Sequence, residues 1–263
     1  MTEAPTCIAI DWSGAANEVG QRRHIVAATV RDGRVLDVVA GRTRSEVVQS
    51  LHAIGPARGH APTFVGLDFS FSVPAWFARS HGCQLIDEVW ELVAARGEQW
   101  LADCPPPFWG HRATRCQLVV NDRYRECEQR LRAQHRQPKS VFQIAGAGAV
   151  GTGSLRGMPW LAWLRARGFA IWPLDAAGQC TALEVYPSLY AQVATNDAAG
   201  RAAHLARFAP DVLGAREREI AIAGDDAFDA VVSALAMWEQ RDALLALEAT
   251  TDPTTALEGA VWY

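Results

Sequence analysis

Four acidic positions in this chain fall where open α/β proteins keep their chemistry. The apolar run Cys7-Ile8-Ala9-Ile10 stops at Asp11, Thr63-Phe64-Val65-Gly66-Leu67 stops at Asp68, and Cys180-Thr181-Ala182-Leu183 stops at Glu184. Asp225, Asp226 and Asp229 then head the last long helical segment. In an open α/β sheet, functional groups collect in the crevice at the carboxyl ends of the strands. Carboxylates gathered there repel one another unless hard cations neutralise them, and oxygen-only ligands favour Mg²⁺ or Mn²⁺. Two such ions about 4 Å apart are the requirement of two-metal phosphodiester hydrolysis. In that scheme Asp11 bridges the ions, Asp68 holds one, and Glu184 and Asp229 complete the catalytic set. Asp229 shares a helix face with Asp225 and Asp226, one turn away. Asp226 is its alternative or partner as a metal ligand, and one of Asp225 and Asp226 is expected to cap the helix.

A substrate backbone would be repelled by such a crevice, so a positive surface is expected beside it. Residues 112–139 carry eight basic and three acidic residues, a local charge of +5 in a chain of −4 overall. Arg112, Arg115, Arg123, Arg125 and Arg130 are the candidate phosphate contacts, and Trp109 and Tyr124 could stack bases. Set against this is the plainer reading of a solvated arginine-rich helix.

Other motifs weigh less. Gly146-Ala-Gly-Ala-Val-Gly151 matches a dinucleotide fingerprint, but that site needs a helix to start at its third glycine. Gly153, Gly157 and Pro159 argue against a helix start there, so a flexible or phosphate-cradling loop is expected instead of nicotinamide binding. Thr43-Arg-Ser-Glu46 fits a capping box better than a catalytic glutamate. Ser13 and Ser70 lack a His/Asp partner motif. Most of the ten tryptophans sit on apolar helical faces and read as core.

The elements that must position these groups follow from periodicity. Strands are expected at Cys7–Asp11, His24–Val30 and Arg34–Ala40, the last two joined by a hairpin turn at Arg31-Asp32-Gly33. A helix is expected at Ser45–Ile54, a fourth strand at Thr63–Phe69, and helices at Gln84–Ala95 and Met158–Arg167. Strands at Phe169–Pro173 and Ala182–Tyr186 come next, then helical residues 198–221 and a final helix from Asp226 to Leu247. Residues 74–157 read as a long, mainly helical insertion after the fourth strand, within one domain spanning 1–263. This is the order of a ribonuclease H-like mixed sheet flanked by helices, an α/β fold.

Composition narrows the class. The chain has 263 residues, 49% of them hydrophobic and 21% charged, an ordinary globular balance. There is one lysine, Lys139, beside 24 arginines, and the acidic balance gives no global nucleic-acid signature. No signal peptide is visible, no apolar stretch of about 18 residues suits a membrane span, and six scattered cysteines show no zinc spacing. A cytoplasmic protein with reduced thiols is expected.

Five segments carry a family resemblance: Ile8-Ala-Ile-Asp-Trp-Ser-Gly14, Val65-Gly-Leu-Asp-Phe-Ser-Phe-Ser72, Pro107-Phe-Trp-Gly110, Leu183-Glu-Val-Tyr-Pro187 and Asp225-Asp-Ala-Phe-Asp-Ala230. They resemble the domain of unknown function 429 family, whose members are described as predicted nucleases of the ribonuclease H-like superfamily. The resemblance runs from Asp11 to Asp229. It implies a metal-dependent nuclease with nucleic acid as partner. A nucleotide-binding phosphotransferase of the actin and sugar-kinase type and a non-catalytic binding module compete with that reading. The first competitor wants a glycine-rich phosphate loop after the first strand, which Asp11-Trp-Ser-Gly14 matches only in part.

Overall fold

The computed structural model describes residues 4–54, 61–111, 114–146, 148–191, 193 and 197–263. In chain order the strands are β1 (Thr6–Asp11), β2 (Val26–Arg31), β3 (Arg34–Val39), β4 (Thr63–Leu67), β5 (Ala170–Ile171) and β6 (Cys180–Glu184). The helices are α1 (Glu18–His24), α2 (Arg44–Ile54), α3 (Ala75–Ser80), α4 (Ile86–Asp103), α5 (Glu126–Ala133), α6 (Gly151–Arg165), α7 (Ala198–Leu205), α8 (Ala215–Ala223), α9 (Asp225–Glu239), α10 (Arg241–Leu245) and α11 (Pro253–Glu258). The strands form one mixed sheet in the order β3-β2-β1-β4-β6-β5. β1, β2 and β3 pair antiparallel, while β4 lies parallel to β1, and β6 parallel to β4. This is an α/β fold, and its strand order is compatible with a ribonuclease H-like sheet.

Composition accounts for the layout. β4 and β6 are buried along their whole length, as parallel strands covered on both faces must be. The β2–β3 turn places both Asp32 and Gly33 at positive φ, 51° and 76°, the backbone twist that tight hairpins favour. Two cores sandwich the sheet. One contains Ile8, Ile10, Val65, Leu67 and Ala182 together with residues of α2, α4 and α6. The other contains Cys7, Ala9, Phe64, Leu183 and Val185 with residues of α7, α8 and α9.

Several expectations need correction. The first three strands are not consecutive, because α1 intervenes. Its residues carry no apolar stripe; it starts because Asn17 accepts the Gly20 N–H. The last helix breaks at Gln240 into α9 and α10. The helix expected from Met158 begins instead at Gly151 and runs through Gly153, Gly157 and Pro159. The glycines are there for close packing: a Cβ at Gly157 would stand 2.6 Å from the Phe69 ring. The end expected for the insertion, residue 157, therefore falls inside a helix. No helix among the described residues is long and apolar enough to cross a membrane. All six cysteines are free.

Candidate functional site

Strand register decides which acids meet. Ile10 is level with Leu67, and Leu67 is level with Glu184. The ladder continues, with Asp68 N–H donating to Ile10 O (3.1 Å) and Val185 N–H donating to Leu67 O (3.1 Å). Asp11 and Asp68 are therefore level with each other, one step past Ile10 and Leu67. Side chains alternate along a strand, so a one-residue offset moves a group to the other face. Asp11 and Asp68 fall on the face of Ala9 and Phe64, the one covered by α9. Glu184 falls on the face of Ile10, Leu67 and Ala182.

On the α9 face, the Asp11 and Asp68 carboxyl groups are close enough for each to act on the other's titration. Burial first, then the charges of Asp68, Asp229, Asp226 and Asp225, push the Asp11 carboxyl well above the ordinary carboxylate range. Burial also raises Asp68 well above that range, assisted by Asp229 and Glu184, with the Asp11 hydrogen bond opposing. Asp229 is pushed up to about 7 by burial, then by Asp225 and Asp226, against a downward pull from Arg201. Its Oδ1 atom is buried and without a hydrogen-bond partner. Asp226 is half-buried, and its Oδ2 lies 2.9 Å from His24 Nδ1. Burial raises its carboxyl as well, opposed by that contact. Neither Asp225 nor Asp226 caps α9; Gly224 is the N-cap and both acids lie in the first turn. His24 was not foreseen as a neighbour of the site, and no sequence signal links it to a residue 202 positions away.

Glu184 lines the same cavity as Asp68 and helps raise it, but it stands on the other face of the sheet and is already paired. It accepts two hydrogen bonds from the Arg125 guanidinium and one from Phe71 N–H at 2.8 Å. Arg125 is 0% exposed, and it also donates to both Glu128 (2.7 Å) and the Glu258 carbonyl (3.1 Å). The arginine expected on the nucleic-acid surface is thus the centre of a buried ion knot tying α5 to β6 and α11. Burial raises the Glu128 carboxyl despite the Arg125 charge.

The remaining candidates scatter. Arg112 lies outside the described residues. Arg115 is exposed. The Arg123 guanidinium is committed to Leu118 O at 2.9 and 3.1 Å. Arg130 is exposed and paired with Glu126 at 2.9 Å. The basic groove that does form is lined by Arg132, His135, Arg136 and Lys139 with Trp109 and Tyr124. Arg132 lies 4.7 Å over the Tyr124 ring. Those cations were within the charged run, but only folding selects them over Arg115, Arg123 and Arg130.

The loop after β1 is held from beneath. Arg44 donates to the carbonyls of Ser13 (2.8 Å) and Ala15 (2.9 Å), and Arg156 donates to Gly14 O while pairing with Glu98. Burial and the nearby Arg156 charge lower the Arg44 guanidinium to about 10. Glu46 forms the expected capping box, accepting from Thr43 N–H at 2.8 Å, and also pairs with Arg22 at 2.6 Å. Beside the acidic pair, Trp12, Gly14, Asp68, Lys139, Val150 and Gly153 line part of a cavity of about 150 Å³.

The donor set on the α9 face is all oxygen, as Mg²⁺ or Mn²⁺ requires. Among the described residues, no three His, Cys, Asp or Glu side chains stand as a preformed ligand cluster. Burial and neighbouring acids hold the Asp11 and Asp68 carboxyls well above the ordinary range, a cost that a divalent cation would relieve. The orphaned Asp229 oxygen fits the same role. No curated protein and no solved structure shows a significant match to the chain. The model of one protein family does, over residues 10–251, nearly the whole chain, and the protein therefore belongs to the DUF429 family, proteins of unknown function.

Proposed function

We propose that this protein is a metal-dependent phosphodiesterase acting on nucleic acid, built on a ribonuclease H-like sheet. The observation that carries the reading is the placing of Asp11, Asp68 and Asp229 at the carboxyl ends of two central strands and the head of α9, where burial first, and neighbouring acids second, push all three carboxyls up. A fold that raises the pKa of three buried carboxyls at one place has a reason to do so, and cation binding is the reason that oxygen ligands suggest. Asp11, Asp68 and Asp229 would hold the cation, with Asp226 available at the rim once released by His24. Glu184 has no part in this, since Arg125 already neutralises it.

A bound divalent ion would lower the pKa of an attacking water and neutralise charge on the leaving oxygen. The chain's own groups do the rest. Asp11 and Asp68, whose carboxyls are held well above the ordinary range, would have to be deprotonated to hold the cation, which would make binding pH-dependent. The groove of Arg132, Arg136 and Lys139 offers cations for a polynucleotide backbone, with Trp109 and Tyr124 positioned for stacking.

The test is Mn²⁺ binding by calorimetry, alongside hydrolysis of single-stranded, duplex and branched DNA and RNA. Wild type should bind Mn²⁺ and cleave at least one substrate, and Asp11→Asn should do neither. Wild-type protein that binds no Mn²⁺ at millimolar concentration, or an Asp11→Asn variant that binds it equally well, would end this reading.

A further inference from the structure

The glycine-rich run and the loop after β1 meet at the N-terminus of α6. Gly14 stands where a Cβ would come within 2.8 Å of the Gly153 nitrogen and 2.9 Å of the Thr152 side chain. No residue but glycine leaves that turn uncovered. A helix leaves its first N–H groups without intrahelical partners. Here Gly151 N–H donates to Gln143 O, and Ser154 N–H donates to Val150 O. The Thr152 and Gly153 N–H groups take no acceptor among the described residues. Val150 and Gly153, at the positive end of this 15-residue helix, line the cavity.

An independent observation lies on the opposite wall. Trp12 is only 7% exposed, yet its indole Nε1 has no hydrogen-bond partner among the described residues. A buried indole N–H normally has one. The ring is fixed against Phe69, with centroids 5.0 Å apart. Its Cδ1 edge, next to Nε1, lies 3.9 Å from the Cβ position at Gly153. The unsatisfied donor therefore faces the same turn of α6.

A charge completes the arrangement. Lys139, the chain's only lysine, is the one cation lining the cavity among the described residues. Its stem runs over Gly148, where a Cβ would stand 2.9 Å from Lys139 Cε. Gly148 has φ +76°, so this loop needs glycine both for its backbone and to seat the lysine. Of the acids that share the cavity, Glu128 and Glu184 are both paired with the buried Arg125 guanidinium.

We propose that this cavity is a phosphate subsite, in which Trp12 Nε1–H, the first N–H groups of α6 and the Lys139 ammonium bind the oxygens of a phosphate ester. Donors of fixed direction and a point charge are what a phosphate dianion or diester requires. As the assignment of a phosphate neighbouring the scissile one, it rests on the phosphodiesterase reading. The anion site itself does not.

Inorganic phosphate, in metal-free buffer at constant ionic strength, is the probe. In ¹H–¹⁵N spectra the Trp12 indole signal, assigned by its loss in Trp12→Phe, should shift saturably together with the Thr152 and Gly153 amides. Lys139→Ala should weaken that binding about tenfold, the effect of one charge-assisted hydrogen bond, and Lys139→Arg should retain part of it. Lys139 is exposed, so the Ala variant should fold, and unchanged spectra away from the cavity verify it. No saturable shift at tens of millimolar phosphate, equal shifts with chloride, or unaltered binding by Lys139→Ala would each overturn the subsite. Phosphate binding with no Mn²⁺ binding at Asp11 would leave the subsite and remove the phosphodiesterase. The reverse pattern would do the opposite.

Discussion

Two acidic clusters sit at the same end of the sheet, one on each face, and they are handled in opposite ways. Glu128 and Glu184 converge on one fully buried guanidinium, and all the hydrogen-bonding nitrogens of Arg125 are engaged. Asp11, Asp68 and Asp229 have no such centre. The nearest compensation is a histidine 2.9 Å from Asp226 and a downward pull from Arg201 on Asp229. A buried ion knot that closes on itself is a structural joint, here fastening the inserted α5 to β6 and to α11 near the C-terminus. A cluster left open has stored repulsion that a ligand can relieve. Strand parity separates the two, since Glu184 is level with Leu67 and not with Asp68.

The sharpest way to break this comparison is to remove the centre of the closed cluster. Arg125→Met should destabilise the protein by about 3–5 kcal/mol, because it leaves buried carboxylates uncompensated. Urea denaturation measures it. A loss below about 1 kcal/mol, the worth of a surface pair, would mean that the knot is not a joint.

The open cluster should respond with the opposite sign. In metal-free buffer at pH 8, Asp11→Asn should stabilise the protein by about 1–2 kcal/mol, one pKa unit being worth 1.36 kcal/mol. The direction follows from the raised carboxyls. Near pH 4, where unfolded aspartates titrate, the folded protein keeps its protons and bears no repulsion. As pH rises through the folded values, about 7 for Asp229, stability is lost. The variant's advantage should therefore shrink towards zero below about pH 4, the unfolded aspartate value, and Mn²⁺ at pH 8 should stabilise wild type selectively. Thermal unfolding of both proteins across that pH range checks the pattern. An advantage independent of pH would show that repulsion is not its source.

What could be read before folding, and what could not, follows from the same geometry. Apolar runs that end in an acid located Asp11, Asp68 and Glu184 at strand ends, and α9 brought Asp229 to the first two. Their faces depend on register, which pairs Leu67 with Glu184 across a parallel ladder between distant segments, and no local pattern encodes it. α1 was missed because an Asn17 cap, not amphipathic spacing, starts it. The start of α6 was missed because glycine and proline argue against a helix locally, whereas contact with Phe69 and the β1 loop demands small residues there. The charged run was visible as a whole. Its division between Arg125 in the core, Arg123 in its own loop and Arg132, Arg136 and Lys139 in the groove depends on where α5 docks.

That division sets the smallest expected effect. If the groove holds a polynucleotide backbone, its cations should contribute to binding, and the other arginines of the same run should not. Arg132→Ala with Arg136→Ala removes two groove cations, and Arg115→Ala with Arg130→Ala removes two exposed cations outside it. Both variants lower the net charge by the same amount, so a long-range electrostatic effect would weaken them equally. Direct phosphate contacts would not. For single strands the slope of log affinity against log salt changes by about 0.7 for each phosphate contact. The groove variant should thus flatten the slope by about 1.4 and weaken binding severalfold at moderate salt, across sequences, since such contacts position without specifying. The control pair should keep the wild-type slope. Mn²⁺ binding should be unchanged in both, because it depends on the opposite-charged cluster at the strand ends. Fluorescence anisotropy with labelled single-stranded DNA and RNA at several salt concentrations separates these outcomes, and equal slopes for the two variants would remove the groove from the substrate path.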